Sequence, residues 1–229
     1  MRWEGRIDSI VFDLDGTLID SRRDLAGAVN ALRRELGLAE LSVDRIVTMV
    51  GRGARVLVQQ ALEADSEGLH VPLHEGFDEI VDRAFERFLA LYLERCLEET
   101  RPYDGVPEML HALAARFPLA LLTNKPERHT RRILAGLGLA GFFRDVLGGD
   151  TLGTRKPDPE GLRLLAGRLG TPPDRTLFVG DSAVDAETAR AAGTPYALVP
   201  WGYGGPGDLA DDEPDLRPET PGDLVAALG

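Results

Sequence analysis

The segment Asp13-Leu14-Asp15-Gly16-Thr17 places two carboxylates two residues apart at the end of a short apolar run, Ser9-Ile10-Val11-Phe12. Side chains alternate along an extended chain, so residues two apart face the same side and both acids look onto one site. Two negative charges held close are costly unless a cation or a shared proton relieves them. The pair therefore predicts a metal or a division of acid and base roles, with a pair of loop acids capping the next turn as the plain alternative.

Further along, Thr123-Asn124-Lys125 offers a hydroxyl, an amide and a cation just before Pro126. A helix opening there would favour an anion at its N-terminus, although the same residues also make an ordinary helix cap. Lys156-Pro157-Asp158-Pro159 follows. Among the 26 basic residues of the chain only Lys125 and Lys156 are lysine. A chain that uses arginine elsewhere has kept, at these places, a compact point charge in preference to a wide planar fork, as a tight site beside a phosphoryl group would require. Finally Gly180-Asp181-Ser182-Ala183-Val184-Asp185 sets two more acids one helical turn apart. Mg²⁺ takes oxygen ligands, usually a few carboxylates with water and substrate phosphate, and Asp181 with Asp13 would supply them. The alternative for Asp181 is the N-cap of the next helix.

Each of these groups needs an element to hold it. The run 9–13 reads as a buried strand emptying into a loop, and 119–123, 176–180 and 196–199 look alike, each bounded by Pro, Gly, Asn or Asp. Helical patterns lie between them at 106–116, 127–137, 160–169 and 184–192. Apolar strands separated by helices imply a parallel sheet covered on both faces, with ligands beyond the carboxyl ends of the strands. From about residue 21 to 100 the alternation stops, leaving amphipathic helical stretches at 22–36, 43–50, 54–64 and 77–97. The expected organisation is an α/β doubly wound, Rossmann-like core formed by 1–19 and 101–229, carrying an inserted all-helical cap at 20–100. The Gly- and Pro-rich stretch 201–221 reads as a surface connection before a last short helix at 222–228.

Composition removes several function classes. A formal charge of −12 argues against nucleic acid as a partner, since such binding rests on clustered basic residues. An anionic substrate must then be met by a local positive site. No apolar stretch approaches the roughly 20 residues that cross a bilayer, and the start of the chain, with Arg2, Glu4, Arg6 and Asp8, is unlike a signal peptide. The single cysteine, Cys96, excludes an intrachain disulfide and reads as a small buried hydrophobe, fitting a reducing, cytoplasmic compartment. His70, His74, His111 and His129 lack metal-ligand spacing with carboxylates and are assigned surface or capping roles, and Trp3 and Trp201 packing roles. Oligomeric state is left open between monomer and homodimer.

Taken together these segments resemble the haloacid dehalogenase superfamily of phosphotransferases, whose pattern is D-x-D-G-T, a strand-end Ser or Thr, a Lys, then G-D-x-x-x-D. All four are present in order. The resemblance implies that Asp13 is nucleophile and metal ligand, and that Asp15 is general acid and then base, lying within a metal-facing set of Asp13, Asp15, Asp181 and Asp185. It implies that Thr123, Asn124 and Lys125 bind the phosphoryl group, that Lys156 stabilises developing charge, and that the cofactor is Mg²⁺. Within the superfamily the chain looks like bacterial-type phosphoglycolate phosphatases, with DLDGTLIDS at 13–21, TNKP at 123–126 and Trp201-Gly202-Tyr203. The implied substrate is a small phosphorylated metabolite such as 2-phosphoglycolate, with Arg52 in the turn Gly51-Arg52-Gly53 suited to its carboxylate, and Arg55 the rival contact. Pyrophosphatase, nucleotidase and phosphosugar phosphatase or mutase activity are the alternatives, followed by an inactive binding module on the same fold.

Overall fold

The computed structural model describes residues 6–64, 77–204 and 213–229. Strand β1 (Ser9–Phe12) is followed by the two-residue strand β2 (Ile19–Asp20) and then by helices α1 (Arg22–Glu35), α2 (Val43–Val47), α3 (Ala54–Glu63) and α4 (Phe77–Arg95). After β3 (Arg101–Pro102) come α5 (Val106–Ala114), β4 (Leu119–Leu122), α6 (Glu127–Gly136), β5 (Phe143–Leu147) and α7 (Glu160–Leu169). The chain ends with β6 (Thr176–Gly180), α8 (Ala183–Ala192), β7 (Tyr196–Leu198) and α9 (Pro221–Ala227). Two compact units result, one made of Met1–Asp20 with Arg101–Gly229, the other of Ser21–Thr100.

In the first unit five strands form a parallel sheet in the order β5-β4-β1-β6-β7. β1 is central because all four of its residues, Ser-Ile-Val-Phe, are buried on both faces, as a middle strand of a covered parallel sheet requires. On one face Val11, Ala120, Leu122, Leu147 and Phe178 pack with Leu162 and Leu165 of α7 and Ala186 and Ala189 of α8. Ile10 and Phe12, pointing the other way by the pleat, are also fully buried. The sheet order reverses direction at β1, so the loops after β1, β4 and β6 leave neighbouring strands side by side.

The doubly wound α/β expectation holds. Two features were not expected. β5 carries Arg144 and Asp145 on a strand that, among the described residues, pairs with β4 alone, so an edge position accounts for the polar residues that hid it. β2 and β3 form a two-stranded antiparallel ribbon, Ile19 opposite Pro102 and Asp20 opposite Arg101, too short for any pattern to register.

The second unit contains only helices among its described residues. α1 and α4 pack along their apolar faces, with Val29 and Leu32 on one and Val81, Phe88 and Leu91 on the other buried. Phe88 and Tyr92 stack at 5.7 Å between ring centroids. Buried Asp24 closes the unit by accepting hydrogen bonds from the Glu99 and Thr100 amides and from the Thr100 hydroxyl at 2.7 Å. Cys96 is buried, as expected. No helix among the described residues is long and apolar enough to cross a membrane. His70, His74 and Trp3 lie outside the described residues. His111 is exposed, whereas His129 is buried in the first turn of α6, which rules out a surface role for it.

Candidate active site

Asp13 is the first residue beyond β1, and its amide donates to the Val179 carbonyl of β6 at 2.9 Å, so sheet pairing fixes its backbone. Its side chain is buried. Lys156 Nζ stands 2.7 Å from Asp13 Oδ1 and 2.6 Å from Asp185 Oδ1, forming a bridge between two acids. Behind the ammonium, the Phe178 ring centroid lies 5.6 Å away. Burial alone would depress the Lys156 ammonium, but Asp13 and Asp185 together hold it above the ordinary lysine range, so it stays charged.

Asp181 is the first residue beyond β6 and is fixed through both oxygens. Oδ1 accepts from the Thr17 hydroxyl at 3.1 Å, and Oδ2 accepts from the backbone amides of Tyr203 at 2.7 Å and Gly204 at 3.2 Å. The glycine of the first motif is required here: Gly16 has φ +87°, and a β-carbon on it would collide with the Asp181 carboxylate. Asp181 is not the N-cap of α8. That position belongs to Ser182, which forms a capping box with Asp185, the Ser182 hydroxyl donating to Asp185 Oδ2 at 2.6 Å. Asp185 thus caps a helix with one oxygen and holds Lys156 with the other.

Ligand oxygens of Asp13, Asp181 and Asp185 all lie within 4.8 Å of one another. Burial, with Asp185 and Asp181 adding to it and Lys156 opposing, pushes the Asp13 carboxyl up; burial and then Asp185 do the same to Asp181 despite its hydrogen bonds. Three buried carboxylates with hard oxygen donors suit a divalent cation such as Mg²⁺, whose charge would offset their burial and mutual repulsion.

The other expected residues fall on two sides. Lys125 Nζ bonds both oxygens of Asp15 at 2.8 Å, so Asp15 sits with a cation and outside the group of three. The chain's only two lysines therefore serve the two acids of one motif. Thr123 is buried, and its hydroxyl oxygen accepts from the Lys125 amide at 3.2 Å while keeping its own proton to donate. Asn124 has a part that sequence did not suggest, since its side-chain amide donates to the Lys156 carbonyl at 2.9 Å and ties the second loop to the third. Arg52 is in the helical unit, exposed between Gly51 at φ +119° and Gly53 at φ +100°. Trp201, expected to serve packing, donates its indole N–H to the Thr17 carbonyl at 3.0 Å. Aromatic-Gly-Tyr in the segment was the available signal, but nothing in it revealed a hydrogen bond across 184 residues.

A parallel sheet reversing at β1, with acids beyond the ends of β1 and β6 and a lysine bridging the first of them to Asp185 of α8, defines a phosphotransfer-type α/β hydrolase core. The family model for haloacid dehalogenase-like hydrolases matches residues 7–193, and the chain belongs to that family. It is 40% identical over 222 residues to the phosphoglycolate phosphatase of Pseudomonas syringae pv. tomato, covering 94% of this chain and 79% of the relative. With the phosphoglycolate phosphatase of Aquifex aeolicus it shares 38% over 220 residues, 96% of this chain and 95% of the relative. The crystal structure of a predicted phosphoglycolate phosphatase from Haemophilus somnus superposes with a TM-score of 0.90 at 32% identity, covering 99% of this chain and 100% of that one. The chain is a phosphoric monoester hydrolase.

Proposed function

We propose that the chain is a Mg²⁺-dependent phosphatase that hydrolyses a small phosphate monoester through an aspartyl-phosphate on Asp13, with 2-phosphoglycolate as the substrate. The observation that carries the reading is the pairing of each acid of the first motif with its own lysine, Lys156 on Asp13 and Lys125 on Asp15. Asp13 attacks phosphorus, the ester P–O bond breaks, and the leaving alkoxide takes a proton from Asp15. Water then gives a proton to Asp15 and attacks phosphorus, the bond to Asp13 breaks, and phosphate and the free carboxylate are released. Lys156, Thr123, Asn124 and Lys125 position the phosphoryl oxygens and balance their charge, which is most of what such a transfer requires. Asp13 and Asp181 would hold Mg²⁺ with Asp185 supporting, while Asp15 stays with Lys125 outside that set. Bound there, the ion supplies charge neutralisation at the transferring group.

The substrate assignment draws on Arg52. It makes no hydrogen bond or ion pair to a described residue, whereas its rival Arg55 is held by Asp82 at 2.7 Å and Asp78 at 3.3 Å. A fork so available suits a carboxylate, and a charge-assisted pair is worth ~1.5–3 kcal/mol, about 10- to 150-fold. The relatives named phosphoglycolate phosphatase support the same substrate. The setting is a reducing, cytoplasmic one, and a monomer or homodimer serves.

Wild type and Arg52→Ala are to be compared on 2-phosphoglycolate and on a neutral phosphate ester with Mg²⁺. The loss in kcat/KM should be concentrated on the acid. Equal losses on both esters would remove Arg52 from substrate choice, and no phosphate release from any ester by wild type would retire the phosphatase reading itself.

A further inference from the structure

The segment after β7 runs back over the site. Val199 still pairs with the sheet, its amide donating to the Gly180 carbonyl at 3.0 Å, and residues 201–204 then cross above Asp181. Three contacts define this strap. The Trp201 indole N–H holds the Thr17 carbonyl at 3.0 Å, and the Tyr203 and Gly204 amides converge on Asp181 Oδ2 at 2.7 and 3.2 Å. The fit leaves no slack: a β-carbon on Gly202 would collide with the Asp181 carboxylate and the Gly16 carbonyl, and one on Gly204 with the Asp181 carbonyl. Strap, first-motif loop and Asp181 are therefore in direct contact.

The Thr17 peptide is the common anchor. Its hydroxyl donates to Asp181 Oδ1, and its carbonyl receives the Trp201 indole, so one residue links the strap to the carboxylate from the opposite side. A carboxylate has about four acceptor positions, and protein donors fill three of them here. The remaining one lies on Oδ1. Which lone pair a metal can use is thus decided by donors on the strap and on Thr17.

We infer that Trp201 is a positioning residue for the metal site, clamping the strap so that the Tyr203 and Gly204 amides hold Asp181 in the orientation a divalent cation takes. The inference rests on the metal reading made above. Partners that orient a ligand typically change metal affinity by ~10- to 100-fold when removed.

The test is calorimetric titration of Mg²⁺ into metal-free wild type, Trp201→Phe and Gly202→Ala, with melting curves of each in chelator. Phe keeps the ring and loses the N–H. Ala at 202 keeps Trp201 and presses a methyl onto the Asp181 carboxylate and the Gly16 carbonyl, so it gives a second reading of how the strap sets Asp181 if Trp201→Phe does not fold. Both variants should bind Mg²⁺ about 10-fold or more weakly than wild type. Mg²⁺ bound by the folded variants as tightly as by wild type, with only the melting temperature lowered, would overturn the inference by showing that the strap merely stabilises the fold. If wild type itself took up no Mg²⁺, the metal reading would fall, and this inference with it.

Discussion

Lys125 Nζ lies 2.8 Å from each oxygen of Asp15, with the lysine side chain 3% and the aspartate side chain 11% exposed. The pair is too sheltered for water to screen well, so a buried charge-assisted contact holds the loop after β4 to the loop after β1. Lys125→Met removes the cation at similar length. kcat/KM should fall by ~10²-fold or more, the scale of a lost acid–base contribution. Steady-state kinetics on a variant whose melting curve shows it folded would check this. Unchanged kcat/KM would make the pair dispensable.

Asp13→Asn keeps the shape of the side chain and removes the nucleophile. Lys156 retains Asp185 at 2.6 Å, so the bridge does not lose both partners at once and the fold should survive. Turnover should drop by more than ~10³-fold. An acid quench of wild type with ³²P-labelled ester should trap label on the protein, and the same quench of the variant should trap none. Label on Asp13→Asn would place the covalent step elsewhere.

A third expectation concerns a cap supplied from a distance. α6 begins at Glu127 after Pro126, whose side chain cannot cap, and the orphan amide of Glu127 donates instead to Asp150 Oδ1 at 2.7 Å, from the loop after β5. The same loop gives the Gly149 amide to the Lys125 carbonyl at 2.9 Å, so it braces the residues that carry Thr123 and Lys125. Asp150→Ala should cost about 1 kcal/mol in denaturant unfolding, and Asp150→Asn much less. Equal costs for the two would show that the charge, and not the cap, is what Asp150 contributes.

Much of this was legible because the polar groups of the site sit at the ends of near-continuous apolar strands, where composition changes abruptly. Asp13, Thr123 and Asp181 each follow such a run, and the lysine count singled out Lys125 and Lys156 without any motif. Partner choice was another matter. Nothing in the order of residues says that Lys125 goes to Asp15 and Lys156 to Asp13, because that depends on how three loops from neighbouring strands are placed side by side. The braces were hidden for the same reason: Asp150, Asn124 and Trp201 act on residues 23, 32 and 184 positions away through single hydrogen bonds. β5 escaped because an edge strand is permitted the Arg144 and Asp145 that a central strand would not tolerate.

Proton and metal compete for the same buried carboxylates. In the metal-free chain burial raises Asp13 from 3.8 to about 8 and Asp181 from 3.8 to about 6, each with neighbouring acids adding to it. Both shifts are upward for acids, so between 3.8 and about 8 the folded chain binds more protons than the unfolded one. These two carboxylates then contribute stability that falls as pH rises through that window, because unfolding returns them to water and separates them. A divalent cation replaces those protons, and its affinity grows as they leave. Melting temperatures at pH 5 and pH 8, in chelator and in excess Mg²⁺, read this directly. The chelated chain should lose more on going to pH 8 than the Mg²⁺-loaded chain, and the gain from Mg²⁺ should be larger at pH 8. Asp181→Asn, which removes one of the titrating carboxylates, should flatten the pH dependence in chelator and shrink the Mg²⁺ gain together. A Mg²⁺ gain that is equal at both pH values, or larger at pH 5, would mean that the three acids are not the ion's site.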